Sequence, residues 1–351
     1  MSAFPDLRAA VEATIAQVQM PGMVVAAVRD DRPVEVLAVG EDAAGHPLER
    51  DSLFSVASIT KLGTAIALLR LVERGAIDLD DELRAYVPDA VASATDGTTI
   101  RALMSHTAGM PGDPDPPPPW TLDLDWRAYA AACERTARVT RPHTRVQYSN
   151  LDYALLGIVI ERASGTSYQE ALRGLVIEPL GIEAYIGQEP PRPTAVTINP
   201  GDGHAGTELS WPNSRFARSL GYPDYGLVTT AEGALALVRV FADVPGGILS
   251  RAMTAEAVSD QVGDLGGGVI GYYEWERAPW GLGPEIRGHK SPYWAPVEAS
   301  PESFGHAGAS GCLAWCDPAA GVAYAWLGTR GSDTWMNDPA LPINAALFGH
   351  P

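Results

Sequence analysis

Ser58 and Lys61 stand three residues apart in the segment Ser58-Ile59-Thr60-Lys61. On a helix that spacing puts both side chains on one face. A serine at a helix start lies at the positive end of the dipole, and its own N–H is free to bind an oxyanion. A lysine buried one turn on has its pKa lowered by desolvation, and the neutral amine can take the hydroxyl proton. Alone, the pair also reads as an N-capping serine and a surface lysine. Composition bears on the choice, because the chain has 23 arginines and only two lysines, Lys61 and Lys290. Arginine does not deprotonate in a protein, so a position that shuttles a proton cannot drift to arginine.

Two more constellations carry chemistry. In Tyr148-Ser149-Asn150 a cation beside the tyrosine is expected to lower the phenol pKa. Asn150 offers donors and an acceptor for a substrate amide or for the lysine. In His306-Ala307-Gly308 the glycine is expected to let a ligand approach the strand backbone closely. The next N–H, of Ala309, is a candidate second oxyanion donor. Taken singly, the first set also reads as a turn with a packed tyrosine and the second as a strand-edge histidine in a glycine-rich bend.

Taken together and in this order, the three sets resemble the serine β-lactamase and penicillin-binding superfamily. The tyrosine version is similar to class C β-lactamases, D,D-peptidases, D-aminopeptidases and family VIII carboxylesterases. Phe54-Ser55-Val56-Ala57, Leu103 to Pro111 (LMSHTAGMP), Pro142-His143-Thr144-Arg145 and Tyr225 to Ala231 (YGLVTTA) resemble further segments of that family. The likeness runs from about residue 20 to residue 330. It implies that Ser58 is acylated, that Lys61 and Tyr148 relay its proton and protonate the leaving group, and that Asn150 holds substrate. It also implies an oxyanion hole from the amides of Ser58 and Ala309, with Gly308 opening the strand. His306 stands where lactamases keep a lysine. A histidine near its usual pKa is mostly neutral at pH 7, which favours esters or amides without a carboxylate over β-lactams. No GxSxG elbow occurs, which disfavours the α/β-hydrolase route to an esterase.

Elements from both ends of the chain must position these residues. Leu7, Val11, Ile15 and Val18 predict a helix over 6–19, and a strand hairpin follows over 24–28 and 34–39. A buried helix is predicted from Ser58 to Arg74, stopped by Gly75. Short helices and turns fill 76–105, and Asp113 to Trp120 (DPDPPPPW) is too rich in proline for a regular element. Helices are expected over 127–137, 150–163 and 230–242, with 186–224 mostly irregular. Strands are expected over 266–273, 304–316 and 321–329, the last two separated by a turn at 317–321. The fold class is therefore α+β, β-lactamase-like. An antiparallel sheet from both chain ends is flanked by helices, and a mostly helical lobe is inserted. One domain spans 1–351, with 1–57 and 225–351 as an α/β lobe and 58–224 as the inserted lobe.

A formal charge of −18 repels nucleic acid and anionic lipid, so neither is an expected partner. No run of 18 apolar residues occurs, so no membrane span is expected. Ser2 to Asp6 has no basic or apolar leader, which points to the cytoplasm. Cys133, Cys312 and Cys316 form neither a disulfide framework nor a metal set, so no metal or cofactor is expected.

The expected activity is carboxylesterase-like hydrolysis of a small ester through an acyl-enzyme. Acyl transfer or amide and peptide hydrolysis, including weak β-lactamase or D-aminopeptidase activity, would use the same site. A silent binding protein is the remote alternative. The pocket is expected along the 112–120 loop and the 270–296 region, with Trp120, Trp280 and Trp294 as candidate lining and Trp275 beside them. His106 reads as a packed, hydrogen-bonded histidine, and Lys290 as a surface group.

Overall fold

The computed structural model describes residues 2–94, 96–114, 125–200, 203–207, 210, 213–242, 247–269 and 272–349. Its strands in chain order are β1 (Gly22–Arg29), β2 (Glu35–Gly40), β3 (Phe54–Ser55), β4 (Val146–Gln147), β5 (Ala184–Ile186) and β6 (Leu227–Thr229). They continue with β7 (Gly267–Val269), β8 (Tyr273–Trp275), β9 (Glu285–Ile286), β10 (Phe304–Gly308), β11 (Cys312–Asp317) and β12 (Val322–Gly328).

The apolar run of β1 has no polar face, and it folds as a strand buried along its whole length. It pairs antiparallel with β2 on one side and with β12 on the other, which joins the two ends of the chain. The main sheet runs β2-β1-β12-β11-β10-β9. The period of two along β1 divides the core. Val24, Ala26 and Val28 face one apolar cluster, and Met23, Val25 and Ala27 face the other. The first cluster holds Leu62, Ile66 and Leu69 of the central helix, and the second holds Leu7, Val11, Ile343 and Leu347 from the terminal helices. Cys312 and Cys316, four apart on β11, both face the first cluster as free, buried thiols.

Five helices matter for the site: α1 (Leu7–Gln17), α2 (Thr60–Glu73), α3 (Ile100–Met104), α4 (Trp126–Arg135) and α5 (Asn150–Ser164). α2 is buried on nearly every side, as its apolar residues around the whole circumference require. Gly75 follows it with φ +70°, a left-handed stop that favours glycine. Ser149 caps α5 by accepting from the Asp152 N–H at 3.0 Å, and Gly165 ends that helix at φ +73°.

The structure corrects several expectations. The α-helix begins at Thr60, and Ser58 lies in a 3-10 turn over Ala57–Ile59. The expected strand 304–316 is a hairpin, because Gly311 takes φ +85° and its N–H bonds to the Gly308 carbonyl at 2.9 Å. The expected strand 266–273 is the pair β7 and β8, with β7 parallel to β4 in a separate three-stranded sheet. Glycine makes that docking possible, since a Cβ on Gly267 would lie 1.9 Å from the Val146 carbonyl oxygen. The proline loop, Trp120 included, falls largely outside the described residues. No described helix is long and apolar enough to cross a membrane.

Candidate active site

The turn Ala57–Ile59 holds Ser58 at the foot of α2. Ala57 adopts φ +47°, a conformation that a non-glycine residue takes only where its surroundings impose it. β10 is what leans on the turn. A Cβ on Gly308 would lie 2.3 Å from the Val56 carbonyl oxygen. Glycine there lets the strand pack closely against the serine turn, and Gly308 also lines the larger cavity at Ser58.

Lys61 rises from the first turn of α2, fully buried. Its Nζ donates to Ser58 Oγ at 3.2 Å, to Asn150 Oδ1 at 2.8 Å and to the Asp224 main-chain carbonyl at 3.0 Å. Tyr148 precedes the Ser149 cap, and its N–H bonds to the Gly268 carbonyl at 2.9 Å, so β7 fixes its height. Its phenol is hydrogen-bonded to Ser58, and its ring centre lies 4.9 Å from Lys61 Nζ. The three motifs that lie far apart in the chain therefore meet around one hydroxyl.

Burial sets the protonation of this cluster. Desolvation pulls Lys61 down to about 8, outweighing the pull of Asp224, Asp113 and Asp152. The expected lowering of the Tyr148 phenol is corrected. Desolvation dominates and pushes it well above its ordinary value, so Tyr148 stays a neutral phenol. Desolvation, then the Lys61 charge, holds His306 down at about 3, and this histidine is neutral.

The other expected residues separate into those at the cavity and those behind it. Two cavities meet at Ser58. The smaller, about 200 Å³, is lined by Thr197, Asn199, Arg218, Tyr225 and Ala309 among others. The larger, about 490 Å³, is lined by Asp113, Tyr148, Tyr273, Trp294, His306 and Asp333 among others. Asn150 and Ala309 border both. Trp294 is thus at the pocket, whereas Trp280 is not. Trp280 is fully buried and packs edge-on against His106 at 4.8 Å, behind Tyr148. Trp275 borders a different surface cavity.

His106 is packed and hydrogen-bonded, with Nδ1 3.0 Å from Asp152 Oδ2 and its ring 4.7 Å from Tyr148. Lys290 contradicts its surface reading. Its side chain is fully buried, and Nζ donates to Glu285 Oε1 at 2.6 Å and to the Pro279 carbonyl at 2.9 Å. It also faces the rings of Trp275, Trp280 and Tyr293. The aromatic and proline-rich sequence around Lys290 is the shell that buries it, not a solvated loop. Sequence reasoning missed Asp224 and Asp113. Asp113 accepts from Asn150 Nδ2 at 3.0 Å, and Asp224 sits just ahead of Tyr225-Gly226-Leu227. No local spacing marks either. Among the described residues no group of three or more His, Cys, Asp and Glu side chains is arranged to hold a metal ion.

Comparison with known proteins gives the family and the fold. A family model described as Beta-lactamase matches residues 7–345. The esterase EstB of Burkholderia gladioli is 28% identical over 344 residues, covering 87% of this chain and 79% of its own. A penicillin-binding protein homologue of Caulobacter crescentus superposes with a TM-score of 0.75 at 26% identity, over 99% of this chain and 98% of that one. A beta-lactamase from Mycobacterium bovis gives 0.67 at 26% identity, over 96% and 97% of the two chains.

Proposed function

This chain belongs to the beta-lactamase family and is a serine hydrolase, and on that premise we propose that it cleaves small esters through an acyl-enzyme on Ser58. The observation that carries the reading is one hydroxyl held by both a buried amine and a half-buried phenol where two cavities meet.

In this mechanism neutral Lys61 takes the Ser58 proton as Oγ attacks the ester carbonyl. The amides of Ser58 and Ala309 receive the developing oxyanion. Tyr148, kept protonated by burial, passes a proton to the departing alkoxide and is reprotonated from the Lys61 ammonium. Water then attacks the acyl-enzyme by the same relay in reverse and releases the acid. Asn150 holds Lys61 through its carbonyl oxygen, and its amide is turned towards Asp113.

Charge in the cavities supports an ester without a carboxylate. The larger cavity is lined by the carboxylates of Asp113 and Asp333 and, among its described residues, by no lysine or arginine. Arg218 in the smaller one is tied to Glu189 and to the Asn213 carbonyl. A substrate anion thus meets no free cation there.

The test is exposure to a fluorophosphonate, followed by mass spectrometry and turnover of a short p-nitrophenyl ester. An adduct on Ser58 with steady turnover is expected; a chain that stays unlabelled overturns the reading. Turnover that requires an added acceptor alcohol would make the protein an acyltransferase instead.

A further inference from the structure

We propose that Asp224 is a positioning residue for proton transfer at Ser58, its buried carboxylate holding the ammonium that forms on Lys61 without touching it. The proposal rests on the reading of Lys61 as the base.

Asp224 is fully buried, and neither carboxylate oxygen meets a hydrogen-bond partner from another described residue. Its main-chain carbonyl is one of the three acceptors around Lys61 Nζ, the others being Ser58 Oγ and Asn150 Oδ1. All three acceptors are neutral, and they use every hydrogen of an ammonium. The countercharge must then act through space. Three carboxylates pull on Lys61, and Asp224 pulls hardest. The other two are engaged elsewhere, Asp113 with Asn150 and Asp152 with His106.

Asp224 is faced by Lys61 from α2, Asp113 from the segment after α3, Tyr129 and Cys133 from α4, and Tyr148 from the approach to α5. Tyr168, Tyr222 and Tyr225 complete its surroundings. Burial pushes each phenol and the thiol above its ordinary value, so Lys61 is the one cation in this set. Burial also pushes Asp224 up to about 7, so above that pH its carboxylate is ionised, and when Lys61 takes the serine proton a charge already in place stabilises the new ammonium with no reorganisation. The same carboxylate raises the affinity of Lys61 for its proton and so opposes desolvation.

Asp224→Asn keeps the shape and removes the charge. Because the chain has two lysines, protein labelled with 13C at lysine Cε gives two side-chain signals, and Lys290→Arg assigns them. The Lys61 titration midpoint is expected to fall by about one pH unit or more in Asp224→Asn, a tenfold change in proton affinity. The acid limb of kcat/KM should move down with it, and the plateau should drop about tenfold. A residue with only a packing role would lower the plateau and leave both midpoints in place. Asp224→Ser serves as the second variant should the first fold poorly. An unmoved Lys61 midpoint in either folded variant overturns the proposal. The titration needs no turnover, so it stands apart from failure of the base reading, which would appear as activity retained in Lys61→Arg.

Discussion

The two lysines of this chain occupy equally dry sites and are held in opposite ways. Lys290 touches a carboxylate, Glu285 at 2.6 Å, and three aromatic rings close over it. Lys61 touches only neutral oxygens, and its nearest countercharges stand off. Both have their pKa lowered by desolvation, but in Lys290 the contact with Glu285 works directly against it. Burial alone does not make a lysine a base. Withholding a contacting carboxylate does, because the ammonium is then stabilised too weakly to keep its proton firmly.

The sharpest break of that contrast is the same substitution at both positions. Lys61→Arg keeps the charge but cannot deprotonate, and kcat/KM for a p-nitrophenyl ester should fall about 10³-fold in a protein that still unfolds cooperatively, with an overpacking cost like that at Lys290. Lys290→Arg should leave kcat/KM within about threefold and show its cost in stability, roughly 1–3 kcal/mol from overpacking. Loss of turnover in the second variant equal to that in the first would erase the distinction.

Next in size is the stability of the inert pair. Glu285→Gln strands a buried ammonium and should cost about 3–5 kcal/mol in denaturant unfolding. Adding Lys290→Met should restore much of that loss. If the single variant unfolds like the parent, the pair is not the buried ionic contact described above.

A pH profile sharpens the functional half. The base form of Lys61 is the active one, so kcat/KM should rise about tenfold per unit as pH increases towards about 8 and then level off. A limb near 6 in its place would assign the base to a histidine. The smallest expected effect is at His306, which burial keeps neutral above about 3. His306→Gln should change the height of the profile by only a fewfold and leave its shape between pH 5 and 8 intact. Nitrocefin should be turned over slowly by the parent protein, since no free cation lines either cavity among the described residues.

Much of the site was legible because its signals are local. Ser58 and Lys61 are joined by a helical spacing, and Tyr148 and Asn150 flank a capping serine, so short-range geometry already orients each pair. Strand boundaries were less legible. The 304–316 run has no proline or acidic residue to break it, and the turn at Gly311 is enforced partly by the Arg330 carbonyl, 1.8 Å from where a Cβ would sit. Lys290 was misread because its partner Glu285 and its aromatic shell come together only when β9 joins the sheet.

The chain by itself brought forward the serine, the lysine three residues beyond it, the tyrosine and the α+β class, because spacing and periodicity are properties of neighbours in sequence. Only the tertiary structure decided the protonation states. It placed Tyr148 high, His306 low and Lys61 in between, and it set Asp224 within reach of a residue 163 positions away. Desolvation and through-space charge depend on what the whole fold excludes from a site, and no stretch of sequence carries that quantity.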